Sequence, residues 1–185
     1  MDRFAVEFRA ELEGDTLKGH AAVFDSMAKL PGHYEALART AFDEVLKSPD
    51  LDVRALVNHD PSQLLGRTPR TLRLSTDAKG LAFEVDLPDT RAAADLRVLL
   101  GRGDLSGMSF GFKPGTDTWG RAPDGTQLRT HTSVSDLRDV SVVTYPAYAG
   151  TDVALRSLQS FTFSAPARSQ MIQARHRVRQ GRETT

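Results

Sequence analysis

The sequence contains no cysteine, which excludes a disulfide framework, thiol catalysis and cysteine-ligated zinc together. Covalent chemistry would have to fall to a hydroxyl, a lysine or a carboxylate. No apolar run approaches the roughly 18 residues of a membrane span. The first residues, Met1-Asp2-Arg3-Phe4, lack the basic-then-apolar order of a signal peptide, so a soluble cytosolic protein is expected. The five histidines, His20, His33, His59, His131 and His176, show no close pairing and the carboxylates are dispersed, so no metal and no cofactor is expected. A phosphate cradle is missing too, because Gly101-Arg102-Gly103 ends a helical pattern where a phosphate loop would open one. Internal repeats and low-complexity tracts are absent.

What is present describes a globular chain. With 185 residues, 39% of them hydrophobic and 26% charged, it is long enough for one ordinary core and short for two. The net charge of zero hides an asymmetry. Residues 156–185 carry six Arg and one Glu, leaving 18 basic and 23 acidic side chains before them. The expected organisation is a domain over residues 1–155 and a basic tail over 156–185. That tail, with Gln interspersed among Arg, cannot bury enough apolar surface to fold by itself.

Alternation marks the first strand, residues 4–12, where Phe4, Val6, Phe8, Ala10 and Leu12 are apolar. The Glu13-Gly14-Asp15-Thr16 turn leads to a second strand over 17–24, which should pair with it antiparallel. Beyond Pro31-Gly32, the spacing of Leu37, Ala41, Val45 and Leu46 predicts a helix over 36–47. Strand-like runs follow at 53–57, 71–74 and 81–87. A second helix is predicted over 91–100, with Pro88-Asp89-Thr90 at its start, Ala93, Leu96, Leu99 and Leu100 on one face, and Gly101 as its stop. Three more strands are predicted at 105–113, 126–134 and 137–144, with Ala122-Pro123-Asp124-Gly125 as a turn. The reading amounts to eight strands and two helices.

Within the 105–113 run, Gly107-Met108-Ser109-Phe110-Gly111 spells G-x-S-x-G. In the hydrolase fold that owns this pattern, the serine sits between a parallel strand and a helix, and acid and histidine follow it in the chain. Here the helix precedes Ser109 and strand-like sequence surrounds it, so the pattern argues against the nucleophile elbow. Ahead of it, Ala55-Leu56-Val57-Asn58-His59-Asp60-Pro61 is an apolar strand that ends in a histidine flanked by polar residues.

Taken in order, these stretches resemble the prohead (capsid-maturation) proteases of tailed bacteriophages, relatives of the herpesvirus assemblins. The resemblance runs from residue 4 to about 155. It rests on Gly19-His20-Ala21-Ala22-Val23-Phe24, on Val57-Asn58-His59-Asp60 followed by Leu65-Gly66-Arg67, on Leu105-Ser106-Gly107-Met108-Ser109-Phe110-Gly111-Phe112, and on Leu137-Arg138-Asp139-Val140-Ser141-Val142-Val143-Thr144-Tyr145-Pro146-Ala147. It implies a β-rich, mostly antiparallel, assemblin-like barrel flanked by a few helices. It also implies a serine endopeptidase that cuts capsid and scaffold precursors, and itself, inside the assembling prohead in the host cytoplasm. A homodimer or higher oligomer is implied as well, with neither membrane nor nucleic acid needed as a partner. A non-catalytic barrel that binds capsid or scaffold protein is the alternative.

Carried over by position, His59 matches the general base and Ser109 the nucleophile. A serine hydroxyl is a weak nucleophile near neutral pH, so an imidazole must take its proton and later return it to the departing amine. A third group must hold the imidazole's tautomer, and backbone N–H groups must meet the developing oxyanion. Three candidates for the third group stay open. Asp139 is preferred, because Asp139-Val140-Ser141-Val142 resembles an assemblin pattern that begins with histidine; His131 and Asp136 are the alternatives. If Asp139 holds the role, the Ala147 N–H is an oxyanion-hole candidate. Asp60 reads as a turn residue.

Overall fold

A computed structural model describes residues 2–7 and 10–145. In chain order its strands are β1 (Asp2–Glu7), β2 (Glu11–Glu13), β3 (Thr16–Val23), β4 (Ala28–Leu30), β5 (His33–Leu37), β6 (Arg54–Val57), β7 (Asp60–Arg67), β8 (Leu72–Thr76) and β9 (Gly80–Asp86). The helix α1 (Arg91–Arg102) follows, then β10 (Gly107–Pro114), β11 (Asp117–Arg121), β12 (Gln127–His131) and β13 (Val134–Val143). The strands form three open sheets, ordered β1-β10-β13-β6-β7, β11-β12-β5-β4 and β2-β3-β9-β8. Pairing is antiparallel except for β12 with β5 and β13 with β6. The fold is therefore β-rich and mostly antiparallel, and among the described residues no sheet closes into a barrel.

The eight expected strands all have counterparts, the first split into β1 and β2, while β4, β5, β7 and β11 are additions. The expected 2–3 hairpin forms, with Leu12 opposite Leu17. A bulge between His20 and Ala22 resets the phase of β3, so that neighbouring Ala21 and Ala22 are both buried.

The helix predicted over 36–47 does not form. Its first residues end β5, and a single 3-10 turn at Val45–Lys47 is all that is helical there. The apolar spacing is real, since Ala36, Leu37, Ala41, Phe42 and Val45 are all buried. Separate local turns, such as Ala41 N–H to the Ala38 carbonyl at 3.0 Å, share the backbone with distant partners: Ala38 N–H donates to the His131 carbonyl at 3.0 Å, and the Ala41 carbonyl accepts from Val134 N–H at 2.8 Å. Burial was legible in the pattern, but the partners at Ala38 and Ala41 that break the helix were distant in sequence.

The second helix forms and runs longer than expected. The Thr90 side chain accepts from Ala93 N–H at its start, the N-cap bond that satisfies an orphan donor. It stops at Gly103, whose φ of +76° suits a left-handed C-terminal residue, so Gly101 lies inside it. Ala93 and Leu96 are buried, but Leu99 is exposed and does not join the buried face.

The hydrophobic core holds Leu17, Phe83 and Val85 from the β3–β9 sheet, Ala93 and Leu96 from α1, and Met108, Phe110, Phe112, Val140 and Val142 from the five-stranded sheet. Phe110 sits between two other rings, 5.6 Å from Phe42 and 5.0 Å from Phe112 between centroids, spacings typical of favourable aromatic pairs. This packing buries one face of the centre of the five-stranded sheet.

Candidate active site

Ser109 lies in the middle of β10, with no strand-to-helix elbow around it. The β10–β13 register sets Ser109 opposite Ser141 and Gly111 opposite Asp139. Alternate residues of a strand share a face, and so do directly opposed residues of neighbouring strands. Ser109, Ser141 and Asp139 therefore share one face, while Met108, Phe110, Val140 and Val142 supply the core from the other. Gly111 places no side chain beside Asp139.

The third side chain arrives from the turn between β6 and β7. β6 lies parallel to β13, with Val57 beside Val142, and the two turn residues, Asn58 and His59, have φ of +52° and +57°. Left-handed backbone costs a residue with a Cβ about 1 kcal/mol or more. Bonds to β13 and the residue after it hold the turn. Asn58 N–H donates to the Val142 carbonyl at 2.8 Å. Its side-chain oxygen accepts from Thr144 N–H at 2.8 Å, and its side-chain nitrogen donates to Thr144 Oγ at 3.1 Å.

The turn delivers His59 over the Ser109 face. Its Nε2 lies 2.8 Å from Ser109 Oγ and its Nδ1 lies 2.5 Å from Asp139 Oδ1. An ionised carboxylate only accepts, so Nδ1 carries the proton of a neutral ring and Nε2 is left to accept from the serine hydroxyl. Ser141 Oγ donates to the same Asp139 oxygen at 2.7 Å. The His59 and Asp139 side chains are only 8% and 10% exposed, and Ser109 and Ser141 are buried. Bonds among charged and polar groups are stronger in such surroundings than in water.

The other sequence candidates sit elsewhere. His131, fully buried on β12, bonds through Nδ1 to Asp117 Oδ1 at 2.7 Å, and its Nε2 is 3.5 Å from Glu35 Oε2. Arg129 bridges the same two carboxylates, at 2.6 Å from Asp117 and 3.2 Å from Glu35. Burial by itself would lower the His131 pKa, but Glu35 and Asp117 outweigh it and raise it. Asp136 pairs with Arg138 at 2.8 Å and Lys113 at 3.5 Å, and those cations hold its carboxyl below the usual range. Neither alternative third member is bonded to His59; β12 and its buried salt-bridge cluster occupy His131, and Asp136 serves the sheet surface. Asp60 accepts from Ser62 N–H at 2.8 Å and Ser62 Oγ at 2.7 Å, a turn-forming arrangement that also lowers its pKa. Among the described residues no group of three or more His, Asp or Glu is placed to hold a metal. No helix there is long and apolar enough to cross a membrane. Ala147, His176 and the basic tail lie outside the described residues.

Sequence reasoning missed the parts played by Ser141, Asn58 and Thr144. A signal for Ser141 existed, because Asp139 and Ser141 are two apart on one strand and must share a face. Nothing local connects Asn58 to Thr144, 86 residues away.

Comparison with known proteins fits this geometry. A family model described as caudovirus prohead serine protease matches residues 4–164. The chain is 29% identical over 160 residues to the prohead protease of Enterobacteria phage HK97, an alignment that covers 83% of this chain and 65% of that protein. The chain therefore spans less than two thirds of that relative's length. No solved structure is significantly similar to it.

Proposed function

The chain belongs to the caudovirus prohead serine protease family, and we propose that it is a serine endopeptidase with Ser109 as nucleophile, His59 as general base and acid, and Asp139 as the third member. The observation that carries this reading is the unbroken chain Asp139–His59–Ser109, with links of 2.5 and 2.8 Å. As Ser109 Oγ bonds to the scissile carbonyl carbon, its proton passes to His59 Nε2, and the imidazolium is stabilised by Asp139 through Nδ1–H. The C–N bond then breaks, His59 returns the proton to the leaving amine, and an ester on Ser109 remains. Water, activated by the same imidazole, hydrolyses that ester and restores the serine hydroxyl. Oxyanion stabilisation would be supplied by backbone N–H groups, for which Ala147 is the sequence's candidate.

The substrates we propose are capsid and scaffold precursors inside the assembling prohead, a reading supported by the family's description as a prohead serine protease. Self-cleavage in the basic tail, between about residues 155 and 173, belongs to the same proposal, as does the oligomer implied by resemblance. The test is co-expression with the capsid precursor. Ser109→Ala and His59→Ala should each abolish processing while remaining folded, and the double variant should be scarcely worse than either, since the two groups act as a unit. Full processing by either single variant would defeat the assignment. Intact mass of the chain expressed alone, compared with Ser109→Ala, reports self-cleavage.

A further inference from the structure

We propose that Ser141 is a positioning residue of this site, whose buried hydroxyl fixes the Asp139 carboxylate and, through it, the His59 ring; the inference rests on the protease reading above. Asp139 Oδ1 receives two donors, His59 Nδ1 at 2.5 Å and Ser141 Oγ at 2.7 Å. The torsion that turns a carboxylate is soft and broad, so a single bond to a histidine leaves its plane weakly held. A second donor on the same oxygen, from a fully buried residue of the same strand, determines that plane.

The sheet explains why this serine meets the carboxylate and is not itself a second nucleophile. Ser141 lies directly opposite Ser109, so the site contains two buried serines side by side. His59 Nε2 faces Ser109, whereas the Ser141 proton is directed at Asp139. Only Ser109 has a base placed to take its proton.

The hydroxyl also has an electrostatic effect. A hydrogen bond donated to the charged form of an acid makes that form less basic. Ser141 therefore moderates the pull of Asp139 on the His59 proton. Without it, the imidazolium should persist to higher pH, and the pH at which the base becomes competent should rise.

The experiment follows covalent labelling of the full chain by a fluorophosphonate, which reads the nucleophile without needing the natural substrate. Rates are measured from about pH 5 to 9, the span over which histidine titrates, for wild type, Ser109→Ala, Ser141→Ala and Ser141→Thr. Ser109→Ala should not label. Ser141→Ala should fold normally, label roughly ten- to a hundredfold more slowly, as expected for loss of a bond to a charged group, and show its acid limb moved to higher pH. Ser141→Thr, which keeps the hydroxyl, should recover most of the rate and the wild-type limb. If Ser141→Ala does not fold, Ser141→Cys, of similar size and a weak donor, carries the same expectation. A wild-type rate and limb in the hydroxyl-deficient variant would overturn the inference and leave the protease reading standing, provided Ser109→Ala is unlabelled. A Thr variant as slow as the Ala variant would make packing the cause and overturn it as well. Labelling of Ser109→Ala would sink the protease reading, and this inference with it.

Discussion

His59 Nδ1 and Asp139 Oδ1 are 2.5 Å apart although 80 residues separate them in the chain. The parallel pairing of β6 with β13 makes this possible, by bringing the turn after one strand beside the end of the other, from where the His59 side chain bonds back to Asp139. Asp139→Asn keeps the shape but turns an obligate acceptor into a group that can also donate, which favours the wrong ring tautomer. The cleavage rate should fall by about 10⁴ if the precedent of serine proteases transfers. His131→Ala should leave most of the activity, and the reverse ranking in a processing assay would move the third role to His131.

Asn58 should matter more than its exposure suggests. Replacing it by Ala removes the side-chain bonds to Thr144 and keeps a Cβ at φ +52°, a combined loss of about 1–2 kcal/mol. Asn58→Gly loses the same bonds but relieves the backbone, so it should unfold at higher urea than the Ala variant. Both should label more slowly with a fluorophosphonate, because the turn that aims His59 is loosened. Wild-type labelling rates in both would show that other contacts hold the turn.

The cluster around His131 predicts a pH dependence of stability. The folded pKa of His131 lies above its ordinary 6.5, so the stabilisation from its protonated form is complete below about 6.5 and is lost as pH rises through the folded value. Glu35 and Asp117 are shifted the other way: burial opposes their ionisation, and the neighbouring cations more than offset it. Their contributions are present above the ordinary carboxylate range and are lost only in acid. The Tm advantage of wild type over His131→Gln should therefore shrink by a few degrees between pH 6 and pH 8. An advantage that is constant across that interval would contradict the assignment of charge in the cluster.

Two glycines should respond in opposite directions to alanine. A Cβ on Gly80 would sit 1.9 Å from the Ala22 carbonyl oxygen, a backbone atom of the paired strand that cannot turn aside. Gly80→Ala should cost about 2 kcal/mol or more by forcing β3 and β9 apart. Around Gly101 in α1 a Cβ would meet nothing within 4 Å, so Gly101→Ala should stabilise by about 0.4–1 kcal/mol. Urea midpoints on the two variants check both signs.

The sequence determined whatever depends on neighbours in the chain. Apolar patterning marked β1, β6, β10 and β13 of the five-stranded sheet and the β3–β9 pair but not β7, Thr90 marked the start of α1, and His59, Ser109 and Asp139 stood out as residue types at recognisable places. The tertiary structure decided everything that depends on which strand lies beside which. Residues 36–47 carry helical spacing, yet bonds to His131 and Val134 make them strand and turn, because burial can be satisfied by either backbone and only the partner settles which. The sequence preferred Asp139 as third member without excluding His131 or Asp136, and only the sheets put His131 beside Glu35 and Asp117 and Asp139 beside His59. The Asn58–Thr144 clasp and the Ser141 bond likewise exist only after β6, β10 and β13 have paired, since a local pattern records which face a side chain takes and not what stands across from it.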